Sequence, residues 1–366
     1  MRIAFLGPAY PFRGGIAKFG QMLADEFCKN HTVKFFNFKK QYPKIIFPGK
    51  EQIEHSEHKA NFEIESQLIP YVPATWNTTV KSIKNWQPDV LIINYWLPFF
   101  APAFGYIAKK LRKKMKIYFI PHNIDFHEKW LFADQFNKYA LKNADKIVTL
   151  SKVVFDDASK LFPQKKIISA FHPIYNCFNF GKYTPQTAKT KLQLTDKKVI
   201  LFFGYIKPYK GLDILLEAFA KIIKTIDNAH LLIVGEVYGT DKLYQKIIME
   251  NQLENEVTFI NRFVTNEEIE LFFKAADVLA LPYKKATQSG VMQIAYDMNL
   301  GVVATPVGGL PEFIEHTGIV ANSCEVGDFE NAILQYFYLD KTELDINIEK
   351  IKQKYAWKTL ADLILE

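Results

Sequence analysis

Three cysteines in 366 residues, Cys28, Cys177 and Cys324, lie far apart and at no metal-ligand spacing. Neither a disulfide framework nor a zinc site is indicated, and a reducing, cytoplasmic setting is the simplest expectation. The chain also lacks HExxH, paired Cys-x-x-Cys and Asp-x-Asp spacings, so no dedicated metal and no cofactor are expected. The P-loop pattern GxxxxGK[ST] and the GxGxxG fingerprint are both missing. Ser289 sits in QSGVM rather than in GxSxG, which argues against a hydrolase nucleophile. From Leu91 to Ala108 there is no charged residue, a length that raises a membrane span. Asn94, Pro98 and Pro102 would interrupt it, and the stretch reads instead as a buried strand and a helix start. The opening MRIAFLGPAYPF turns at once into a strand without a basic leader, so export is not expected. No repeat of solenoid length and no low-complexity tract is visible.

Hydrophobic residues at 49% and charged residues at 23% are those of an ordinary globular chain, and the length suits two domains. Aromatics at 15%, with 31 Phe and 18 Tyr, are abundant enough that some are expected on a surface. Charge is divided unevenly. Residues 1–185 carry 27 Lys and Arg against 14 Asp and Glu, and residues 186–366 carry 19 against 25. A basic first half suggests an anionic partner, whether phosphorylated lipid, membrane surface or nucleic acid, although no nucleic-acid module is recognisable.

Hydrophobic patterning gives alternating strands and helices. Strands are expected at Arg2–Leu6, Val33–Phe36, Asp89–Trp96, Lys116–Ile120, Lys146–Leu150 and Lys166–Phe171, with a long surface loop from Lys39 to Phe62. The Pro, Gly and Asn content of residues 172–190 reads as a linker. A second series follows at Lys198–Gly204, Leu231–Gly235, Val257–Ile260, Val278–Leu281, Val302–Thr305 and Ile319–Ala321, before two helical segments at Leu344–Tyr355 and Lys358–Leu365. This alternation implies two doubly wound α/β domains with parallel sheets, in which ligands bind outside the carboxyl ends of the strands.

The candidate chemistry lies at those strand ends. Gly14 and Gly15 follow the first strand and open a helix, either to let backbone N–H groups approach an anion or to make a tight turn. His122 ends the strand at Lys116–Ile120, in Pro121-His122-Asn123-Ile124-Asp125. In GYIKPYKGLD, Lys207 and Lys210 sit in the turn before a helix, where two ammonium groups and free helix N–H groups suit a diphosphate. The aromatics near Pro98 and the cationic cluster from Lys109 to Lys116 suit either an interfacial surface or a solvated face.

Four stretches, the PFRGG loop, FFGYIKPYKGLDILLEAF, HLLIVGE, and ADVLALPY through VVATPVGGLPE, resemble the group 1 (family 4, retaining) glycosyltransferases of the GT-B fold. They occur in that family's order and span nearly the whole chain. The resemblance implies two Rossmann-like domains facing a cleft, residues 1–185 on the acceptor side and 186–349 binding the nucleotide sugar, with residues 350–366 crossing back as a helix. It implies transfer of a sugar from a UDP- or GDP-linked donor to a glycan or lipid-linked acceptor in cell-surface polysaccharide or lipopolysaccharide synthesis, with an anionic inner leaflet as a peripheral contact. By the family pattern Gly14 and Gly15 lie against the donor phosphates, His122 contacts the donor sugar and Lys210 the diphosphate. The family's arginine falls on Tyr205, which makes Lys207 the nearest replacement cation, a point charge without the bidentate fork. Glu236 and Arg262 complete the expected donor-binding set. The family's two glutamates fall on Ala286 and Ile294, so Gln288, Ser289 and the N–H groups of Gly290 and Val291 are expected to take over, as in the subset of members with ATQSG here. The alternatives are another GT-B enzyme, such as a nucleotide-sugar epimerase, and a catalytically silent nucleotide-sugar-binding partner of a glycan assembly complex.

Overall fold

A computed structural model describes residues 1–43, 52–53, 60–124 and 132–366. Part of the expected 39–62 loop, and Asp125, lie outside the described residues. The chain divides into two compact units, residues 1–171 with 357–366, and residues 172–356.

The first unit runs β1 (Arg2–Leu6), α1 (Gly15–Cys28), β2 (Thr32–Phe38), β3 (Glu63–Leu68), α2 (Pro73–Trp86), β4 (Val90–Tyr95), α3 (Ala101–Leu111), β5 (Lys116–Pro121), α4 (Ala133–Leu141), β6 (Lys146–Thr149), α5 (Lys152–Leu161) and β7 (Ile167–Ser169). Its seven strands pair in the order β3-β2-β1-β4-β5-β6-β7, every pair parallel. The central strands are buried on both faces, so they read as unbroken apolar runs such as Val90–Ile93. No strand was expected at β3, whose EIESQL has only two apolar residues, Ile64 and the buried Leu68, and forms the half-exposed edge of the sheet. Its register is secured by charge. Lys34 on β2, itself 9% exposed, places Nζ 2.6 Å from Glu63 and 2.8 Å from Glu65. Burial would lower the Lys34 pKa, but the two carboxylates outweigh it and raise it.

The second unit runs α6 (Pro185–Lys191), β8 (Lys198–Phe203), α7 (Leu212–Ile222), β9 (Ala229–Val234), α8 (Lys242–Glu250), β10 (Val257–Ile260), α9 (Asn266–Ala275), β11 (Val278–Leu281), α10 (Gly290–Asp297), β12 (Val302–Ala304), β13 (Gly318–Val320), α11 (Val326–Tyr336) and α12 (Lys341–Lys354). Its parallel sheet has the order β10-β9-β8-β11-β12-β13. In both sheets the order reverses beside the first strand, at β1/β4 and at β8/β11. Such switch points open a crevice at the carboxyl edge.

The unit boundaries fall at 171/172 and 356/357 rather than at the expected 185/186 and 349/350. Fully buried Glu270 on α9 accepts the backbone N–H groups of Phe180, Lys182 and Tyr183 at 2.8–3.2 Å, which binds residues 172–184 to the second unit. Helix α12 packs on α10 and stays there too. The last helix, α13 (Trp357–Leu365), belongs to the first unit, where it packs on α1. Trp357 meets the Phe19 ring at 5.4 Å, and the Lys146 ammonium donates to the Ile364 carbonyl at 2.9 Å.

Candidate functional site

In the second unit, close backbone approaches bring three loops together at the carboxyl edge. The turn after β8 ends at Gly211, with φ +69°, where a Cβ would stand 1.9 Å from the Pro282 carbonyl oxygen after β11. Only glycine fits there. The Lys284 N–H donates to the Tyr209 carbonyl at 2.7 Å and ties the same two loops. After β12, Gly308 has φ +56° and would place a Cβ 1.7 Å from the Ala286 carbonyl oxygen, while the Gly309 N–H donates to the Thr287 carbonyl at 3.2 Å. The loop after β11 is thus clasped between the β8 turn, at Pro282 and Lys284, and the β12 turn, at Ala286 and Thr287 of ATQSG.

Lys210 sits at the centre of this arrangement. A Cβ on Gly204 would lie 3.3 Å from the Lys210 Nζ and 3.5 Å from a Val291 methyl, so the ammonium and the first turn of α10 flank one space over the end of β8. Nζ is 5.0 Å from the centre of the Tyr283 ring. Burial would lower the Lys210 pKa, but Tyr283, which also shares a hydrogen bond, and Tyr209 outweigh it, and the pKa is raised. The group is cationic throughout the physiological range.

Ser289 caps α10 with an extended backbone, φ −136° and ψ 109°, but its side chain makes no capping bond. The hydroxyl is buried, 8% of the residue is exposed, and the oxygen has no hydrogen-bond partner among the described residues. Orphan N–H groups of a helix start, a neighbouring ammonium and an unpartnered hydroxyl together make a receptor for an anion. Gly290 is held from the other side by Tyr175, whose ring edge would be 3.1 Å from an added Cβ. Burial pushes the Tyr175 hydroxyl pKa up. Gln288 is half-buried beside Ser289.

Three other expected residues of the second unit have surroundings of their own. Lys207 turns to the β9 side, its Nζ 5.4 Å from the Tyr238 ring, which packs on Tyr205 at 5.0 Å. Glu236 is half-buried after β9, and its carbonyl accepts the Ile206 N–H at 2.9 Å. Arg262 is committed elsewhere. Its guanidinium holds Glu268 through two bonds of 2.9 and 2.5 Å, and this pairing drives the Glu268 carboxyl down to about 2. That fork is spent on the start of α9, where Glu268 also closes a capping box with Thr265.

In the first unit, Gly14 caps α1 with φ 108° and ψ 162°. It and Gly15 are exposed, and an added Cβ on either would meet nothing within 4 Å. The approach to this loop is fixed by Asn37 at the end of β2, which accepts the Ala9 N–H at 3.0 Å and donates to the Ala9 and Tyr10 carbonyls at 3.2 and 2.9 Å. His122 is 4% exposed at the end of β5; its N–H donates to the Tyr95 carbonyl at 2.7 Å and its ring meets Phe19 edge-on at 4.9 Å. Phe19 lies one turn into α1 from Gly15, so the glycine loop and the histidine share one edge of the sheet.

Sequence reading missed Tyr175, Tyr283 and Asn37. Tyr283 closes the ADVLALPY motif and was open to inspection, whereas Tyr175 lies far from α10 in sequence and carried no local signal. Among the described residues no cluster of three or more His, Cys, Asp or Glu side chains could hold a metal ion, and no helix is long and apolar enough to cross a membrane.

Comparison with known proteins assigns both units. The family model described as Glycosyltransferase Family 4 matches residues 13–179, and that described as Glycosyl transferases group 1 matches residues 197–337. The chain is a group 1, family 4 glycosyltransferase. Among curated relatives of this glycosyltransferase, the N-acetyl-alpha-D-glucosaminyl L-malate synthase of Bacillus anthracis is 24% identical over 345 residues, covering 91% of this chain and 86% of that one. The D-inositol 3-phosphate glycosyltransferase of Mycolicibacterium smegmatis is 25% identical over 230 residues, covering 61% and 52%. Among solved structures, sucrose-phosphate synthase from Thermosynechococcus elongatus has a TM-score of 0.75 at 19% identity, covering 98% of this chain and 96% of that one. Anabaena HepE in complex with UDP has a TM-score of 0.75 at 17% identity, covering 100% and 98%. The fold of this glycosyltransferase is GT-B.

Proposed function

We propose that this glycosyltransferase moves a sugar from a nucleotide diphosphate sugar to a glycan or lipid-linked acceptor, with retention at the anomeric carbon, in the synthesis of a cell-surface polysaccharide or lipopolysaccharide. One observation carries the donor assignment: the Lys210 ammonium and the Ser289 hydroxyl, unpartnered among the described residues, flank the first turn of α10. UDP in the HepE structure supports a nucleotide donor of this type.

In this reading the bond between the anomeric carbon and the diphosphate oxygen breaks as the acceptor oxygen bonds to the same face of the sugar. The acceptor hydroxyl proton passes to the departing phosphate oxygen. Charge growing on that oxygen is met by Lys210 and by the N–H groups of Gly290 and Val291, a fixed electrostatic role that needs no added metal. Ser289, with Gln288, replaces the contacts that carboxylates at Ala286 and Ile294 would have made. Lys207 and Glu236 line the nucleotide side of the second unit's site. Arg262 has no part in it.

A thermal-melt series against UDP, GDP and their sugars tests the donor, because a ligand that binds only the native state raises its stability. One nucleotide diphosphate sugar is expected to raise the melting temperature, with the rise lost in a Ser289→Ala, Gln288→Ala double variant. Silence toward every donor, or a rise that the double variant keeps in full, would contradict the assignment. Full turnover after EDTA treatment is expected.

A further inference from the structure

Helix α10 carries the proposed anion site on weak internal support. It has eight residues, its N-cap side chain makes no capping bond, and its first turn holds no acidic residue to meet the dipole. A helix so short and uncapped is marginal by itself, so its position is set by what packs around it. The strap of residues 172–184, held near its far end by Glu270, runs along α10 from first residue to last. Tyr175 sets its ring edge against Gly290, where an added Cβ would stand 3.1 Å away, and the Asn179 amide donates to the Asp297 carbonyl at 3.4 Å.

The near end of the strap is fixed where the chain passes between the two units, at 171/172 and 356/357. There the Ile174 N–H donates to the Tyr355 carbonyl at 3.0 Å, joining the two passing segments. Tyr175, the next residue, is 3% exposed and caged by the rings of His172 at 5.2 Å and Phe178 at 6.1 Å, so it has little room to yield to a neighbour. Tyr355 reaches the same helix by a second route. Its ring meets Phe313 edge-on at 5.0 Å, and Tyr296 of α10 donates its hydroxyl to the Phe313 carbonyl at 2.9 Å.

We propose that Tyr175 is a positioning residue of the transfer reaction: its ring, backed by the strap, holds the Gly290 and Val291 N–H groups where the departing phosphate needs them. The proposal rests on the reading that α10 receives the donor diphosphate. Such positioning matters to turnover, since a displacement of about 1 Å can cost about a hundredfold. The brace also works in reverse. A diphosphate that fixes the first turn of α10 fixes Tyr175 with it, and through Tyr175 the Ile174–Tyr355 hydrogen bond, so nucleotide binding is felt where the chain passes between the units.

Calorimetric titration of the full chain with UDP and with GDP, joined to hydrogen exchange on the same samples, tests the brace. Tyr175→Leu, which keeps an apolar side chain but no ring edge, should weaken the tighter nucleotide by at least about tenfold, and Tyr175→Phe by less than about twofold. Gly290→Ala puts a methyl against the ring and should weaken binding in the parent, yet add no further loss in the Tyr175→Leu background. Saturating nucleotide should slow exchange at the Ile174 amide in the parent and leave it unchanged in Tyr175→Leu. A side chain that only fills space would lower the melting temperature without these effects. Parental affinity in Tyr175→Leu, an equal loss from Gly290→Ala in both backgrounds, or an Ile174 amide blind to nucleotide would each overturn the proposal. If Tyr175→Leu does not fold, the parental Ile174 amide still decides it. If the parent binds neither nucleotide, the donor reading falls by itself, and the brace is read at the Ile294 amide, which closes the first turn of α10 and should exchange faster in Tyr175→Leu.

Discussion

Two lysines three residues apart in one turn have different surroundings, and the difference predicts different roles. Lys210 reaches the first turn of α10, while Lys207 faces Tyr238 on the β9 side. If charge on the leaving phosphate is met at α10, Lys210→Ala should lower kcat by about two orders of magnitude, the usual cost of deleting one such donor, and Lys207→Ala by less than about tenfold. Initial rates of nucleotide release on the two variants check this, and equal losses would return Lys207 to the diphosphate. Gly211→Ala is a structural counterpart, because both its φ and the Pro282 carbonyl exclude a Cβ. It should cost at least about 2 kcal/mol in denaturant unfolding and weaken nucleotide binding with it. At this scale the sequence revealed residue types and their strand ends, but not their partners. Arg262 looked available until Glu268, six residues on, was seen to hold it, and nothing near Tyr175 pointed to Gly290.

Helix α10 shows what an element adds. Its start receives an anion in the proposed reaction, and its last residue, Asp297, places a carboxyl at the end where the helix dipole is negative. Burial pushes Asp297 up to about 6, against the opposing effect of Lys352 and Lys274 and with a smaller push from Glu349. A carboxyl raised in the folded state stabilises the fold below its unfolded value near 3.8, and that contribution is lost as pH rises through about 6. Asp297→Asn should therefore be more stable than the parent at pH 7 to 8 by about 2 kcal/mol, with the advantage gone below about pH 4. Urea melts across that range would show it, and a constant difference between the two proteins would refute it. The alternation of strands and helices was legible because central strands of a parallel sheet are apolar throughout. Edge strand β3 was not, since only Ile64 and Leu68 are apolar in it and two glutamates on the buried lysine of its neighbour hold the rest.

At the scale of the whole molecule, the end of the chain is folded with its beginning. Trp357, Leu360 and Ile364 are buried in the first unit, although α12, immediately before them, belongs to the second. Burying three such side chains contributes roughly 5 kcal/mol, comparable with the whole stability of a small domain. Deleting residues 357–366 should therefore loosen the first unit, not the second unit to which they are joined in sequence. Phe19 would lose the Trp357 ring and Lys146 the Ile364 carbonyl, so α1 and β6 are where protection should fall. Hydrogen exchange on the truncated chain reads this directly: amides of α1 and β6 should exchange at least about a hundredfold faster, while those of β8, β9 and β11 keep their parental rates. Equal loss of protection in both units would mean that they unfold as one. Because Phe19 also supports the His122 ring, the same deletion should slow sugar transfer while the second unit still binds nucleotide.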